Sequence, residues 1–317
     1  MAKDSGTVVG RVAAIINKKA NERWHEDAVR FGWLDFIESG EVLDALLEKV
    51  EEFGLKHGCD TIIGPLGFTN MDKEGLLVEG YDRLSSFTCL YNYPYYGRML
   101  EAAGYRKDKD WIQRVITVPD QPPAMFNYCS LISERYGLRM IEGETMRSLA
   151  KRYGRRIFKM CNDSFASLYA TSALSDKQID KLVNDYIKIA DLNLVTAIMD
   201  GDKMVGFGIT FPSFSKALQK TCDGRLFPFG WWHVLKILKW HQTPVVDLLL
   251  IGVLPEYRSK GANALIFDDL IRQFQAYGFE WAETGPQMET NEGVLSQWQY
   301  LEAIIHRRHR CYRKLLG

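Results

Sequence analysis

The chain contains an internal repeat, and this repeat constrains the fold more than any other feature of the sequence. In each half a glycine lies in the returning strand of a hairpin with a polar turn, a second glycine opens a helical pattern, and a proline follows the next strand. These residues are Gly10, Gly40 and Pro65 in the first half and Gly206, Gly261 and Pro286 in the second. The last two pairs share an offset of 221 residues, whereas the first pair has 196, because extra residues lie between Phe211 and Val245. The repeat predicts two related α/β halves.

A cluster of prolines marks the boundary between the halves. Pro119, Pro122 and Pro123 discourage regular structure, which predicts units at residues 1–120 and 121–317. Hydrophobic periodicity predicts alternating strands and helices in each half. The predicted strands are 7–17, 30–38, 60–66, 110–118, 126–133, 193–200, 203–211, 245–253, 279–285 and 304–315, and the predicted helices are 41–57, 95–103, 144–160, 176–190, 262–277 and 291–302.

Composition excludes several classes of protein. Forty basic and forty acidic side chains leave no net charge, which argues against a polycationic nucleic-acid binder. No apolar stretch approaches the roughly 18 residues of a membrane-spanning helix, and the polar first residues show no export signal. The six cysteines are scattered without a C-x-x-C pair, which predicts reduced thiols of a cytoplasmic protein and no metal site.

One loop of the second half is suited to bind a diphosphate. The apolar run 245–253 breaks at Gly252 and leads through a basic, small-residue loop directly into an amphipathic helix. The first amides of such a helix have no acceptor within it, and the positive end of the helix dipole attracts anions. Arg258 and Lys260 add positive charge, and Gly261 has no Cβ that would keep a ligand from the backbone.

This loop resembles the coenzyme A loop of the GCN5-related N-acetyltransferase (GNAT) superfamily. The family pattern Q/R-x-x-G-x-G/A corresponds to Arg258, Gly261 and Asn263, where Asn263 departs from the usual small residue. The preceding Val253-x-Pro255 matches the usual end of the strand before the loop. The resemblance therefore implies that the second half binds coenzyme A.

The resemblance extends over nearly the whole chain, to bacterial proteins with two tandem GNAT-like halves. It implies an α/β (α+β) fold in which each half is a twisted, mixed, mostly antiparallel sheet flanked by helices. It also implies that residues 1–120 form a degenerate, N-terminally incomplete half, and that residues 121–317 form the half with the coenzyme A loop.

The chemistry implied by the resemblance is transfer of an acyl group from acetyl-CoA or another acyl-CoA to a small-molecule or peptide amine. The amine attacks the thioester directly, and a backbone N–H near Val253 polarises the thioester carbonyl. Contacts to coenzyme A are predicted for Ile251, Val253, Arg258, Ser259, Lys260, Gly261, Ala262, Asn263 and Asn291. No stable nucleic-acid partner is expected, and an oligomer is left open.

Asp247 is the first candidate for the base that accepts the proton of the amine. It is a lone carboxylate in an apolar strand, six residues before Val253, and this spacing resembles that of the strand glutamate in histone-type members of the superfamily. A period of two places Leu249, Ile251 and Val253 on its face unless a bulge intervenes, and apolar surroundings would raise its pKa. The alternative is a strand-end aspartate that caps the chain or pairs with an arginine.

Other residues are candidates for proton transfer. Glu283 and Glu289 are further candidate bases. The family places an acidic tyrosine seven residues after a helix-opening asparagine, but here that position is Trp298. Protonation of the leaving thiolate is therefore assigned to Tyr300, Tyr312 or water.

The first half lacks a comparable loop. Its strand at 31–37 runs directly into the helix, and Glu38 and Glu41 stand where a phosphate would bind. Like charges there would repel the ligand. The sequence therefore predicts a structural or substrate-shaping first half.

Two further segments and the overall activity have alternatives. The aromatic stretch 227–241 lines an acceptor pocket, touches a membrane surface or, as aromatic stripes usually indicate, packs as a helix against the first half. The basic tail 306–314 is a nucleic-acid patch or, as favoured, a solvated strand. A non-catalytic acyl-CoA sensor or scaffold and a Fem-type aminoacyl-tRNA-dependent transferase compete with the acyltransferase.

Overall fold

The computed structural model describes residues 1–141, 145–295, 297–298 and 301–317, apart from the side chain of Met125. Its strands are β1 Ala2–Asp4, β2 Thr7–Ile15, β3 Ala28–Phe36, β4 Thr61–Gly64, β5 Leu76–Glu79, β6 Arg106–Thr117, β7 Leu138–Met140, β8 Val195–Asp200, β9 Lys203–Pro212, β10 Val245–Val253, β11 Trp281–Thr284, β12 Gln287–Met288 and β13 Ala303–Leu315. Its α-helices are α1 Lys18–Trp24, α2 Gly40–Lys56, α3 Tyr95–Ala102, α4 Cys129–Tyr136, α5 Met146–Leu149, α6 Arg155–Ser164, α7 Asp176–Tyr186, α8 Ser215–Gln219, α9 Gly230–Trp240, α10 Pro255–Arg258, α11 Ala262–Tyr277 and α12 Glu292–Leu295. Short 3₁₀ helices at Ala124–Tyr128 and Leu192–Leu194 and a π-helix at Ala150–Gly154 complete the described elements.

The strands form one continuous mixed sheet flanked by helices, in the order β1-β2-β3-β4-β13-β6-β11-β10-β9-β8-β7. Parallel pairing occurs between β3 and β4 and between β10 and β11, and the other pairs are antiparallel. The predicted α/β class is confirmed. The sheet is shared by the two halves rather than divided between them, because β6 pairs with β11 of the second half and β13 pairs with β4 of the first.

The repeat in the sequence corresponds to a repeat in the fold. Gly10 and Gly206 lie in the second strands of the hairpins β1–β2 and β8–β9. Gly40 begins α2, and Gly261 is the residue that precedes α11. In both halves a strand, a helix and a parallel strand then follow one another, so the 221-residue offset relates equivalent positions of the two halves.

Two predicted elements differ from the structure. The strand predicted at 126–133 is wrong, because this segment forms the 3₁₀ helix and α4. Phe126 and Cys129 are buried and Ile132 packs beside them at the same spacing of three, which is the period of a helix face. The helix predicted at 291–302 is described only as α12, Glu292–Leu295.

The basic tail is a central strand of the sheet. β13 lies between β4 and β6, and Arg307 and His309 are completely buried. Arg308 and Arg310 pair with Asp110. The expectation of a solvated strand is therefore wrong, because residues from the first half enclose β13 on both edges.

The main hydrophobic core belongs to the second half, and a smaller core lies between α2, α3 and the first-half strands. Within the described ranges, no helix combines the length and apolarity needed to cross a bilayer. All six cysteines are described, and all are free thiols.

Candidate functional site

Asp247 lies in β10, just before a β-bulge. The register with β9 passes from Leu248 opposite Thr210 to Leu250 opposite Ile209, which leaves Leu249 as the extra residue. Asp247 is opposite Phe211, whereas Ile251 and Val253 are opposite Gly208 and Gly206. Because residues of even and odd number in β9 point to opposite faces, Asp247 lies on the face opposite to Ile251 and Val253. The bulge thus reverses the arrangement expected from a period of two.

The Asp247 carboxylate is buried and lacks hydrogen-bond partners. The residue is 4% exposed, and neither Oδ1 nor Oδ2 has a partner among the described residues. Burial raises its pKa to about 7, although the charge of Arg307 and the hydroxyls of Ser213 and Ser86, which lie near the carboxylate without a hydrogen bond of normal geometry, oppose the rise. A carboxylate with this pKa exchanges a proton readily near neutral pH.

Asp247 is one end of a row of polar side chains that crosses four adjacent strands. The register places it beside Glu283 of β11, with Gln113 of β6 and Arg307 of β13 on the same face. Arg307 forms an ion pair with Glu283, and His309 Nε2 lies 3.0 Å from Gln113 Oε1. We call Asp247, Glu283, Gln113, Arg307 and His309 the polar row.

Burial sets the charges in this row. It lowers the pKa of His309 to about 3 and that of the adjacent His306 to about 4, so both imidazoles are neutral at pH 7. Burial also lowers the pKa of Arg307, but a guanidinium keeps its charge at pH 7, and Arg307 pairs with Glu283. The row therefore offers one buried, partnerless carboxylate next to a neutralised ion pair.

A loop of the first half covers this row. The Arg307 guanidinium donates to the Leu84 carbonyl, and the loop also carries the buried residues Ser86 and Cys89. The Ser86 hydroxyl lowers the pKa of Asp247. Burial raises the pKa of the Cys89 thiol; the charge of Asp247 raises this pKa further, and that of Arg307 lowers it. The first half therefore contributes directly to the surroundings of Asp247.

Strands β10 and β11 separate after Leu248, the residue that follows Asp247. Their last backbone hydrogen bond joins Gly285 N to Leu248 O, at 3.0 Å. Beyond it, Leu254 N donates to Val205 of β9, so the N–H groups of Ile251 and Val253 point to the opposite side, toward the gap. This gap is lined by an open strand edge.

Arg258 holds the end of this open edge. The Arg258 Nε donates to Val253 O at 3.1 Å, and a terminal nitrogen reaches Ser164 O at 3.5 Å. The Ser164 hydroxyl is buried, has no hydrogen-bond partner within the described ranges, and lies beside Gly252. Arg258 thus stabilises the strand end, in addition to the phosphate contact predicted for it.

The start of α11 has free amides. Gly261 has a φ of 80° and supplies no side-chain cap, and the N–H groups of Ala262 and Asn263 have no acceptor in the described part of the chain. A Cβ on Gly261 would lie 2.8 Å from Ile132 Cδ1, so α4 rather than open space faces this glycine. The packing of α4 explains why a side chain does not fit at Gly261, the amides of its neighbours on the helix remain uncapped, and the approach of a ligand to this backbone stays a prediction.

Two residues before Gly261 complete the loop. Ser259 is exposed, and the Lys260 ammonium lies over the rings of Tyr257 and Tyr136, at 4.1 and 5.8 Å from their centroids. Lys260 therefore has a defined position beside the first turn of α11.

The remaining predicted site residues lie elsewhere. Glu289 pairs with Lys107 at 2.7 Å and Arg308 at 3.0 Å, and because Arg307 and Arg308 alternate along β13, this cluster lies on the face opposite to the polar row. The Asn291 carbonyl accepts from the first turn of α12. Tyr300 lies outside the described residues.

Neither Trp298 nor Tyr312 faces the gap. Trp298 is buried against Phe267, and its Nε1 donates to Gln287 Oε1 at 2.9 Å. Tyr312 is buried in the first-half core, and its hydroxyl lies 3.4 Å from Glu101. Both side chains are therefore part of the packed interior of the protein.

Sequence comparison gives distant relatives over nearly the full chain. Protein YghO of Escherichia coli K12 is 27% identical over 99% of this chain and 81% of its own length. The bacterial ceramide synthase of Caulobacter vibrioides is 20% identical over 100% of this chain and 83% of its own length. No protein-family model matches the chain.

Solved structures decide the fold. A tandem GNAT protein from the clavulanic acid biosynthesis pathway aligns with a TM-score of 0.53 at 12% identity, over 99% of this chain and 81% of that protein. A GCN5-related N-acetyltransferase from Sphaerobacter thermophilus aligns with a TM-score of 0.51 at 13% identity, over 98% and 78% of the two chains. This chain has a tandem GNAT fold. The predicted resemblance is confirmed at this level, and the separating strands β10 and β11 lie in the GNAT-like second half.

Sequence reasoning missed most of the polar row. Gln113, Arg307 and His309 are brought beside Asp247 and Glu283 by long-range strand pairing, and no local motif marks them. Within the described residues of this GNAT fold, no group of three or more His, Cys, Asp or Glu side chains is arranged to hold a metal ion.

Proposed function

We propose that the protein is an N-acyltransferase that transfers an acyl group from an acyl-CoA to an amine. In this proposal residues 121–317 bind the acyl-CoA, and residues 1–120 shape the acceptor side through the loop over the polar row. The free cysteines agree with a reducing compartment such as the cytoplasm. The observation that carries the proposal is the buried, partnerless Asp247 carboxylate beside an open strand edge.

The residues present fit an acyl-CoA. The uncapped amides of Ala262 and Asn263, with Lys260 and Arg258 nearby, suit the diphosphate of coenzyme A. The open strand edge at Ile251 and Val253 suits the pantetheine arm of coenzyme A, whose amides can pair with backbone groups. When bound, the acyl-CoA supplies an activated thioester as the acyl donor. The N–H groups that point into the gap are donors for a carbonyl oxygen.

Asp247 is the proposed base. With a pKa of about 7, it is substantially ionised at neutral pH and accepts a proton from an ammonium group placed next to it. Glu283 is a weaker candidate, because Arg307 already pairs with it. This ion pair neutralises the charge of Glu283, so Asp247 is the carboxylate of the row that stays free to accept a proton.

The named activity of one relative supports an amine acceptor. A ceramide is an N-acylated long-chain amino alcohol, so the ceramide synthase of Caulobacter vibrioides forms an amide from an amine. We propose the same bond type here and test lipid amines among the acceptors.

The proposal is tested by calorimetric titration of the protein with acetyl-CoA and a long-chain acyl-CoA, followed by assays of thiol release with an amine panel. The panel contains a polyamine, an amino sugar, an amino acid ester and a sphingoid base. We expect binding of an acyl-CoA, much weaker binding of the matching acyl-pantetheine, which lacks the diphosphate, and thiol release with one acceptor class. Absence of acyl-CoA binding would overturn the proposal.

A non-catalytic acyl-CoA sensor is the second candidate. The observation that favours it is Trp298, which occupies the position of the family's acidic tyrosine and is packed into the core. Binding of an acyl-CoA without thiol release for any acceptor would support this candidate.

A further inference from the structure

The second half carries a helical insertion that is much longer than the equivalent connection of the first half, where α1 alone lies between β2 and β3. Residues 213–244 connect β9 to β10 and contain α8 and α9. Ile237 of α9 is buried in the second-half core, with Val234 and Leu238 packed against that core. The aromatic residues do not pack against the first half as expected, because α9 uses its aliphatic face to pack on the second half.

The opposite side of the insertion is aromatic and exposed. Trp231, Trp232 and Trp240 of α9 are 42%, 42% and 47% exposed. In the loop before α9, Phe227 and Phe229 are each 78% exposed. Five large aromatic side chains in 14 residues of chain therefore face solvent. We call these five residues the aromatic patch.

The insertion is also strongly basic. Residues 215–241 contain five cations and one anion, a formal charge of +4, in a chain whose total charge is zero: Lys216, Lys220, Arg225, Lys236 and Lys239 against Asp223. None of the five cations forms an ion pair with a described residue. Lys236 lies 5.5 Å from the ring centroid of Trp232, and Lys239 lies 5.1 Å from that of Trp240. Aromatic rings and lysines are therefore interleaved on one surface.

We propose that the aromatic patch and its lysines bind the surface of an anionic lipid bilayer. Aromatic side chains favour the headgroup region, where the ring is dehydrated, and lysines beside them are attracted by anionic headgroups. The charge complementarity selects an anionic bilayer over an uncharged protein groove, and Phe227 and Phe229 enter the interface first because they are the most exposed members.

The position of the patch relates it to the candidate site. The insertion leaves β9 at Ser213, whose hydroxyl acts on Asp247, and it returns to β10 two residues before Asp247. The start of α11 lies at the other end of β10. The insertion that carries the patch therefore joins the sheet at the Asp247 end of β10, and the loop before α11 follows the opposite end of the strand.

Co-sedimentation with vesicles tests this proposal without any acyl-CoA, so it stands or fails independently of the proposed function. We expect binding to vesicles of equal parts phosphatidylglycerol and phosphatidylcholine, and little binding to phosphatidylcholine alone. The double variant Phe227→Ser/Phe229→Ser should reduce the partition coefficient at least about tenfold, because two exposed rings leave the interface. Lys236→Glu/Lys239→Glu should reduce the partition coefficient more at low salt than at high salt, because salt screens the attraction between lysines and anionic headgroups.

The control is Phe68→Ser/Tyr93→Ser, which removes two exposed aromatic residues of the first half, 46% and 64% exposed. This variant should bind vesicles like the wild type. The proposal would be overturned if the wild type did not bind anionic vesicles. It would also be overturned if Phe227→Ser/Phe229→Ser and the control variant bound them equally well. If the wild type instead forms a dimer that Phe227→Ser/Phe229→Ser dissociates and vesicles are not bound, the patch is an interface between copies and the proposal is wrong.

Discussion

The two halves of the molecule use the same strand–helix junction in different ways. In the first half Ser39 precedes α2, and its hydroxyl accepts a hydrogen bond from Val42 N, so the start of the helix is capped by the protein. In the second half Gly261 precedes α11 and offers no side chain, which leaves amides free. The first junction is closed by the chain itself, and the second is available to an anion.

The strands before these helices differ in the same sense. Val29 pairs with Ile62 in the first half, and Asp247 pairs with Glu283 in the second. The two pairs are equivalent, because Ile62 and Glu283 stand two residues before Gly64 and Gly285. Val29 and Ile62 are completely buried apolar residues, whereas the second half buries a carboxylate whose pKa is raised. A buried, partnerless carboxylate destabilises a fold, and the first half shows that this position accepts an apolar pair. The difference therefore points to a chemical role for Asp247.

Replacement of the base should give the largest effect. Asp247→Asn keeps the shape of the side chain but removes the proton acceptor, so we expect the rate of acyl transfer to fall about 10²–10⁴-fold with little change in acyl-CoA affinity. Steady-state kinetics and calorimetric titration measure the two quantities. The matched control is Glu289→Gln, on the opposite face of the sheet, which should leave the rate within about threefold. Similar losses in both variants would remove the distinction between the two carboxylates.

The same substitution should change how stability depends on pH. The folded-state pKa of Asp247 is about 7 against 3.8 in the unfolded chain, so the folded state binds the proton more tightly. The stability linked to this proton is complete below pH 3.8 and is lost as the pH rises through about 7. We therefore expect Asp247→Asn to gain up to about 4 kcal/mol relative to the wild type between pH 4 and pH 8.

Urea denaturation at several pH values measures this gain. His306 and His309, whose pKa values are lowered, affect the wild type and the variant alike and cancel in the difference. Glu41→Gln, at an exposed site of the first half, is the control and should follow the wild type. A difference that does not vary with pH would mean that the buried carboxylate is not under strain.

Sequence periodicity predicted the elements but not the site. The helix predicted at 262–277 has the bounds of α11, because its apolar face repeats with a clear helical period. The bulge at Leu249 left no such signal, since three consecutive leucines show no alternation whether or not one is extra. The burial of Arg307 rather than Arg308 likewise depends on register across four strands, and two adjacent arginines look the same in sequence.

The amides of α11 provide a prediction of intermediate size. Asn263→Asp places a negative charge at the first turn, which favours the helix dipole by about 0.3–1 kcal/mol but repels a diphosphate. We expect acyl-CoA affinity to fall at least about tenfold while the melting temperature stays equal or rises. Asn263→Ala, which adds no charge, is the control. A loss of affinity accompanied by an equal loss of stability would indicate a folding defect instead of a lost binding site.

The smallest effect should come from the capped helix of the first half. Ser39→Ala removes the hydroxyl that holds Val42 N and should cost about 0.5–1 kcal/mol in the free energy of unfolding. Acyl-CoA affinity should not change, because the acidic Glu38 and Glu41 keep anions from this junction. Denaturation and titration of the same samples test both statements. A drop in affinity comparable with that of Asn263→Asp would mean that the first junction also contributes to ligand binding, and the two halves would then share the work that we assign to one.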